Sequence, residues 1–268
     1  MASVVNMNDV VFENIIKLEG YNTSTGELMW LASQLTDGTL SVTSETEDVT
    51  DAKGAVIARF YRSINAEFTA TNALFNLSLA AAQTGNTEGI IRGGTNSPIV
   101  VPKSETFTVA GTTITLSEVP VGTTGAEIPY IYACNGAGNL TTSYKLAATA
   151  SATEFALDAA TKRITLPTSI ATGDKIMVNY NCETENAVMF KANGNDTPRA
   201  CRALLYVKCH NVCDPSAIVY GILEFPNAQL SPDYDLNFTS DGGHELTLQM
   251  MQDFCDGEKR LYNFYLIG

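Results

Sequence analysis

A succession of short strand-like segments separated by turn residues constrains this chain most, because it leaves little room for helices. Between residues 105 and 180 seven such segments follow one another, at 105–110, 112–118, 129–134, 142–148, 154–157, 163–166 and 175–180. Many short strands at such regular spacing predict a sandwich or barrel module. Upstream, Leu40 and Val42 alternate with Ser41 and Thr43, and residues 55–61 carry enough Val, Ile, Phe and Tyr for a second strand. Downstream, Tyr234, Leu236 and Phe238 alternate with Asp235, Asn237 and Thr239. A turn at Ser240, Asp241, Gly242 and Gly243 follows, and then Leu246, Leu248 and Met250 alternate with Thr247 and Gln249. That pattern predicts a hairpin with one buried face, with a last strand over 261–267. Charged residues make up 17% of the chain, below the roughly 25% of an average globular protein. Small polar residues, above all Thr, fill the difference and favour strands. With 268 residues, 45% of them hydrophobic, the chain can bury one large all-β domain or two ordinary ones.

One segment breaks the pattern. After a strand-like run at 66–70, Leu74, Leu77 and Ala81, with Phe75, Leu79 and Ala82, follow helical spacing and predict a helix lying across a sheet. Thr71 or Asn72 is the expected N-cap and Gly85 the expected terminator. The run Gly93, Gly94, Thr95, Asn96, Ser97 and Pro98 reads as a linker. It predicts a β-sandwich-like module at 97–181 inserted into a host domain built from 1–96 and 182–268. Between the first two host strands lies an acidic stretch, residues 45–54, with Val49 as its only large apolar side chain. Such a loop buries too little to order itself and is expected to be mobile in a lone subunit.

Specific chemistry is hard to find. The net charge of -13 argues against a protein that binds nucleic acid by neutralising phosphates. The N-terminal residues show no secretion signal, so folding is expected in the cytoplasm. The longest near-apolar run, 73–82, is interrupted by Asn76 and Ser78 and falls short of the roughly 20 residues of a membrane helix. Of the two histidines, His244 follows a Gly-Gly turn in HELTL, which lacks the second His of a metalloprotease helix, and reads as a turn or surface residue. No nucleophile elbow, Walker loop or complete dinucleotide fingerprint is present. The six cysteines include Cys201, Cys209, Cys213 and Cys255 near His210, without paired C-x2-C knuckles. Cys201 and Cys209 share strand parity, as buried small hydrophobes would. The expectation is therefore a non-enzymatic protein with reduced thiols and no catalytic, cofactor or metal site.

Three segments, 34–62, 65–85 and 221–267, together resemble the tail tube proteins of long-tailed bacteriophages. The shared pattern is a strand, a polar loop ending in Ala-Lys-Gly, a strand, an Ala/Leu helix, and a closing meander containing Phe-Pro-Asn-Ala and His-Glu-Leu-Thr. The resemblance implies a mainly β fold of two packed antiparallel sheets with one flanking α-helix. It also implies hexameric rings that stack into a tube around a DNA channel, and a virion tail protein assembled in the host bacterial cytoplasm. Glu45, Glu47, Asp48, Val49, Asp51, Lys53 and Gly54 correspond by position to the inter-ring loop. Terminator, baseplate and, where present, sheath proteins are the implied partners, and genomic DNA would pass without specific binding. The inserted module, absent from the smallest members, is similar to the immunoglobulin-like modules carried outwards on phage tails. The alternative from another class is a capsid or tail decoration or adhesion protein whose sandwich binds carbohydrate or a cell surface, and a third is a small hydrolase on a β scaffold.

Overall fold

A computed structural model of the chain describes residues 10–86, 89–135, 138–213, 218–235, 239, 242–253 and 257–267. It is mainly β and divides into two compact units, Met1–Ile90 with Phe190–Gly268, and Ile91–Met189.

The first unit is built from β1 (Val10–Asn22), β2 (Leu28–Ala32), β3 (Thr39–Thr50), β4 (Val56–Asn72) and helix α1 (Leu77–Gln83). The second unit contributes ten strands. These are β5 (Ile91–Arg92), β6 (Ile99–Thr108), β7 (Thr113–Thr115), β8 (Pro120–Val121), β9 (Tyr130–Cys134), β10 (Leu140–Leu146), β11 (Glu154–Asp158), β12 (Arg163–Thr165), β13 (Lys175–Thr184) and β14 (Val188–Met189). The chain then returns to the first unit with β15 (Ala200–Asn211), β16 (Ile218–Leu230), β17 (His244–Met250) and β18 (Asn263–Ile267).

In the first unit the antiparallel ladder runs β2-β1-β15-β16-β17-β4-β3, with β18 also on β16. β16 pairs with β15 along most of its length, but its other edge is shared. Tyr220 to Glu224 hold β18, and Ala228 to Leu230 hold β17. That three-residue join lets the β17-β4-β3 half fold over the rest, so the two layers are halves of one continuous ladder. Strict alternation supplies the core between them. Cys201, Ala203, Leu205, Val207 and Cys209 point inwards from β15, and Leu246, Leu248 and Met250 from β17, to meet Leu18, Trp30, Phe68 and Phe225. Phe68 and Phe225 bring the halves together with ring centroids 6.2 Å apart. Each such large side chain removed from water contributes about 1.5–3 kcal/mol.

The helix lies near the edge strand β2, and its start differs from the sequence expectation. Asn76, not Thr71 or Asn72, is the N-cap, its Oδ1 accepting from the backbone N–H groups of Ser78 and Leu79. Asn72 instead ends β4, buried, where its Oδ1 accepts from Gln34 N–H and its amide donates to Leu74 O. Leu74 and Phe75 therefore precede the helix and are exposed, while Leu79, Ala80 and Ala81 form its buried stripe. Gly85 follows the helix with φ 70, the left-handed conformation that ends a helix most cheaply with glycine.

The hairpin expected from Tyr234 to Met250 is also re-partnered. Leu246, Leu248 and Met250 do lie on one buried face, but their strand pairs with β4 and the end of β16. Tyr234 and Asp235 are outside any strand, and positions 236–238 and 240–241 lie outside the described residues.

The second unit is organised on the ten-residue antiparallel register between β6 and β13, and its ladder continues β9-β10-β11-β12-β7. β8 pairs with β13, and β10 with β11 form a two-residue parallel pair. Ile131, Phe155, Ile164, Ile176 and Val178 form its separate core. Chain entry and exit lie side by side, since β5 pairs with β14 and Gly93 N–H donates to Ala187 O.

Gly20 tests the packing of the first unit. It sits opposite Trp30 in the ladder, and an added Cβ would fall 2.2 Å from the indole. Gly20→Ala should destabilise the protein by about 1–3 kcal/mol through overpacking. Denaturant unfolding checks this, and an unchanged midpoint would contradict the buried stack of Trp30 on glycine.

Candidate functional site

The longest strand carries the feature most suggestive of function. β4 has 17 residues, but β17 covers only Ala66 to Asn72. Beyond that point β4 has β3 as its one strand partner among the described residues, through antiparallel pairing that runs from Thr39 opposite Thr69 to Thr50 opposite Val56 with two register shifts. The result is a two-stranded arm of residues 43–64. The acidic stretch 45–54 is thus a hairpin rather than a structureless loop. Glu45, Glu47, Asp48 and Val49 lie on β3, and Asp51, Lys53 and Gly54 in the turn, all of them exposed. Cross-strand bonding replaces burial as the local ordering force. Arg59 grips Asp48 with two hydrogen bonds of 2.7 and 2.8 Å, Arg62 pairs with Glu47, and Asp51 Oδ1 accepts from the N–H groups of Lys53 and Ala55. The Arg59 guanidinium lowers the pKa of Asp48.

The arm exposes apolar side chains that an isolated surface would not keep. Ile57 is 68% exposed and Tyr61 70%, with Val49, Val56, Phe60 and Ile64 also open. A lone two-stranded ribbon is marginal in water, and a run of exposed apolar residues marks an interaction surface. Register shifts at Glu45/Thr46 and Val49/Thr50 add twist that turns its edge.

The two outward faces of the first unit differ in charge. On the β17-β4-β3 half, Glu245, Thr247 and Gln249 stand beside Thr71, Thr69 and Glu67, which stand beside Thr39 and Ser41, with Thr43 and Glu45 further out. These outward positions carry carboxylates and small polar groups but no basic side chain. On the other half, opposite charges come in pairs. Lys17 binds Glu19 at 2.6 Å, Arg202 binds Glu224, and Lys208 and His210 both bind Glu13. Burial alone would raise the pKa of Glu224, but hydrogen bonds from Arg202, Tyr265 and Asn263 outweigh it and hold the value lowered.

His244 is not the surface residue its Gly-Gly neighbours suggest. It is fully buried on β17, Nε2 lying 2.7 Å from Gln83 Oε1 while Nδ1 faces the Asn76 N–H. Phe75 stacks on the ring and Tyr234 tilts against it. Gln83 also donates to Glu245 O, so helix α1 is tied to β17 by both partners. Inward parity explains the burial, because His244 shares the face of Leu246 and Leu248. Cys201 is likewise interior, its thiol pushed up to about 12 by burial. Cys209 and Cys182 are also buried, Cys213 is exposed, and Cys255 lies outside the described residues. Among the described residues no three His, Cys, Asp or Glu side chains gather where a metal could bind, and no helix is long and apolar enough to cross a membrane.

Among the described residues, then, the most distinctive surface of the first unit is a two-stranded arm with open apolar side chains. The YomU/Tube protein family model matches residues 11–263, and the chain belongs to that family. Membership makes it a phage tube-like structural protein. Comparison with the curated proteins finds no match.

The buried imidazole sets a pH dependence. Burial lowers the pKa of His244, whereas the unfolded chain takes up its proton near pH 6.5, roughly the ordinary value. The stabilising contribution is therefore complete above that pH and is lost as pH falls through the lowered folded value. Unfolding of the native chain and of His244→Gln, followed from about pH 7.5 to 5, should show a shallower acid loss in the variant. Parallel curves would contradict the assignment. Gln83→Leu, which leaves buried partners unbonded, should cost about 1–3 kcal/mol.

Proposed function

We propose that this chain is the tail tube subunit of a long-tailed phage. Six copies close into a ring, rings stack, and the genome passes along the bore during ejection. The observation that carries the reading is the arm at 43–64, a two-stranded ribbon with open apolar side chains that no other strand among the described residues covers. Glu45, Glu47, Asp48, Val49, Asp51, Lys53 and Gly54 at its end form the inter-ring contact. Ring closure is further supported by the ladder itself, because among the described residues β2 and β3 end it with one unpaired edge each. Joining copies side by side removes such edges, which otherwise template aggregation.

The outward face of β17-β4-β3 suits the inner wall. Repeated around a ring and down a stack, Glu245, Glu67 and Glu45 sum to a negative field that keeps phosphates from adhering. Salt weakens that field. Tail terminator and baseplate proteins are the partners this role requires, with a sheath where the tail contracts. Assembly takes place in the host bacterial cytoplasm and the virion tail is the final location.

Residues 97–181 form an inserted, immunoglobulin-like module on this reading. Its support is the separate core of the second unit and the adjacent entry and exit strands.

Electron micrographs of the concentrated protein should show six-fold rings or tubes. A strictly monomeric species at high concentration would contradict the assignment. Replacing 97–181 by a short Gly/Ser bridge should leave polymerisation intact. A trimmed chain that is soluble and folded yet cannot assemble would make the module part of the tube wall.

A further inference from the structure

The first unit holds an apolar groove as well as an apolar arm. The groove, about 510 Å³, opens between the two halves of the folded sheet and is lined by Phe12, Ile15, Leu40, Phe68, Leu205 and Leu223 among others. Its floor is the core itself, with Phe68 only 2% exposed, while Phe12 on its wall is 61% exposed. Pockets of roughly 300–1,000 Å³ hold whole ligands, so this one has room for large side chains.

We infer that this groove receives the arm of a second copy, with Ile57, Tyr61 and Ile64 as the anchoring side chains. The inference rests on the tube reading and adds the receiving surface. Three observations choose this occupant. The arm exposes the apolar side chains that the groove lacks, and both surfaces occur on the same polypeptide. An arm cannot fill its own groove, because Leu40 and Phe68 line the groove at the arm's root and β3 stays paired with β4 from there to Thr50. Asp48 and Glu47 on the arm are already paired with Arg59 and Arg62, so docking the neighbouring apolar side chains strands no charge of those two pairs. A contact between different patches of identical chains is heterologous and propagates, which is what a stack of rings needs.

Two variants separate the halves of the contact. An arm variant, Ile57→Ser with Tyr61→Ser and Ile64→Ser, keeps the groove. A groove variant, Phe12→Glu, keeps the arm and changes a side chain on the surface rather than in the core. Each alone should stop at single rings, with the stacking constant lowered by about tenfold or more. A one-to-one mixture of the two should yield paired rings and no longer polymer. Tubes formed by the groove variant as readily as by the native chain would overturn the inference and leave the tube reading standing, whereas absence of rings in the native chain would overturn both. Should either variant misfold, native chains carrying Phe12→Cys and Tyr61→Cys are mixed and oxidised instead. A disulfide between Cys at 12 of one copy and Cys at 61 of another supports the contact, and its absence in assembled tubes overturns it. If residues 1–9 of the same chain fill the groove instead, the Phe12→Glu chain will still stack and the inter-copy disulfide will not form.

Discussion

A strand is held at both edges only where two neighbours flank it, and β4 meets that condition over just its inner end. From Ala66 to Thr69 it lies between β17 and β3, and Ala66, Phe68 and Ala70 enter the core. From Val56 to Asn65 its one strand partner among the described residues is β3. The same strand is thus half core and half arm, and most of the remaining arrangement follows from that division. The folded ladder supplies a rigid root, so the arm projects as an extension of the sheet instead of collapsing on it.

The polar bracket at the other end keeps that root in place. Gln83, His244 and Asn76 join helix α1 to β17, while Asn76 also donates to Leu31 O of β2. Strands from both halves of the sheet are therefore tied to one seven-residue helix. A buried polar network of this kind fixes a unique arrangement only when its members are satisfied. Both ring nitrogens of His244 have partners in the neutral form, with Nε2 donating and Nδ1 accepting. The charge asymmetry of the outward faces is a separate property of the same strands, written in the alternate positions that the core does not use.

Much of the strand pattern was legible from period two alone. The inward set Leu246, Leu248 and Met250, the shared parity of Cys201 and Cys209, and the terminating Gly85 all follow from local rules. Partners were harder. The alternation at 234–238 looked like the mate of 246–250, but β17 found better company in the apolar faces of β4 and β16, a tertiary choice that no local signal reports. Asn72 and Asn76 are equally good caps by residue type, and only the burial of Asn72 at the end of β4 decides between them. His244 was misread because a Gly-Gly turn suggests exposure, while its parity with Leu246 pointed inwards. The arm was misread for the opposite reason. Residues 45–54 offer little to bury, and sequence composition does not reveal that Arg59 sits opposite Asp48 and that the Arg62 side chain reaches Glu47.

The central claim is that the arm is completed only by another copy of the chain. Amide hydrogen exchange, compared between dilute subunits and assembled tubes, measures this most directly. The account predicts fast exchange over residues 43–64 in the subunit and strong protection in the tube, with the core amides of β15 and β17 protected in both. Equal and strong protection of the arm in both states would contradict it.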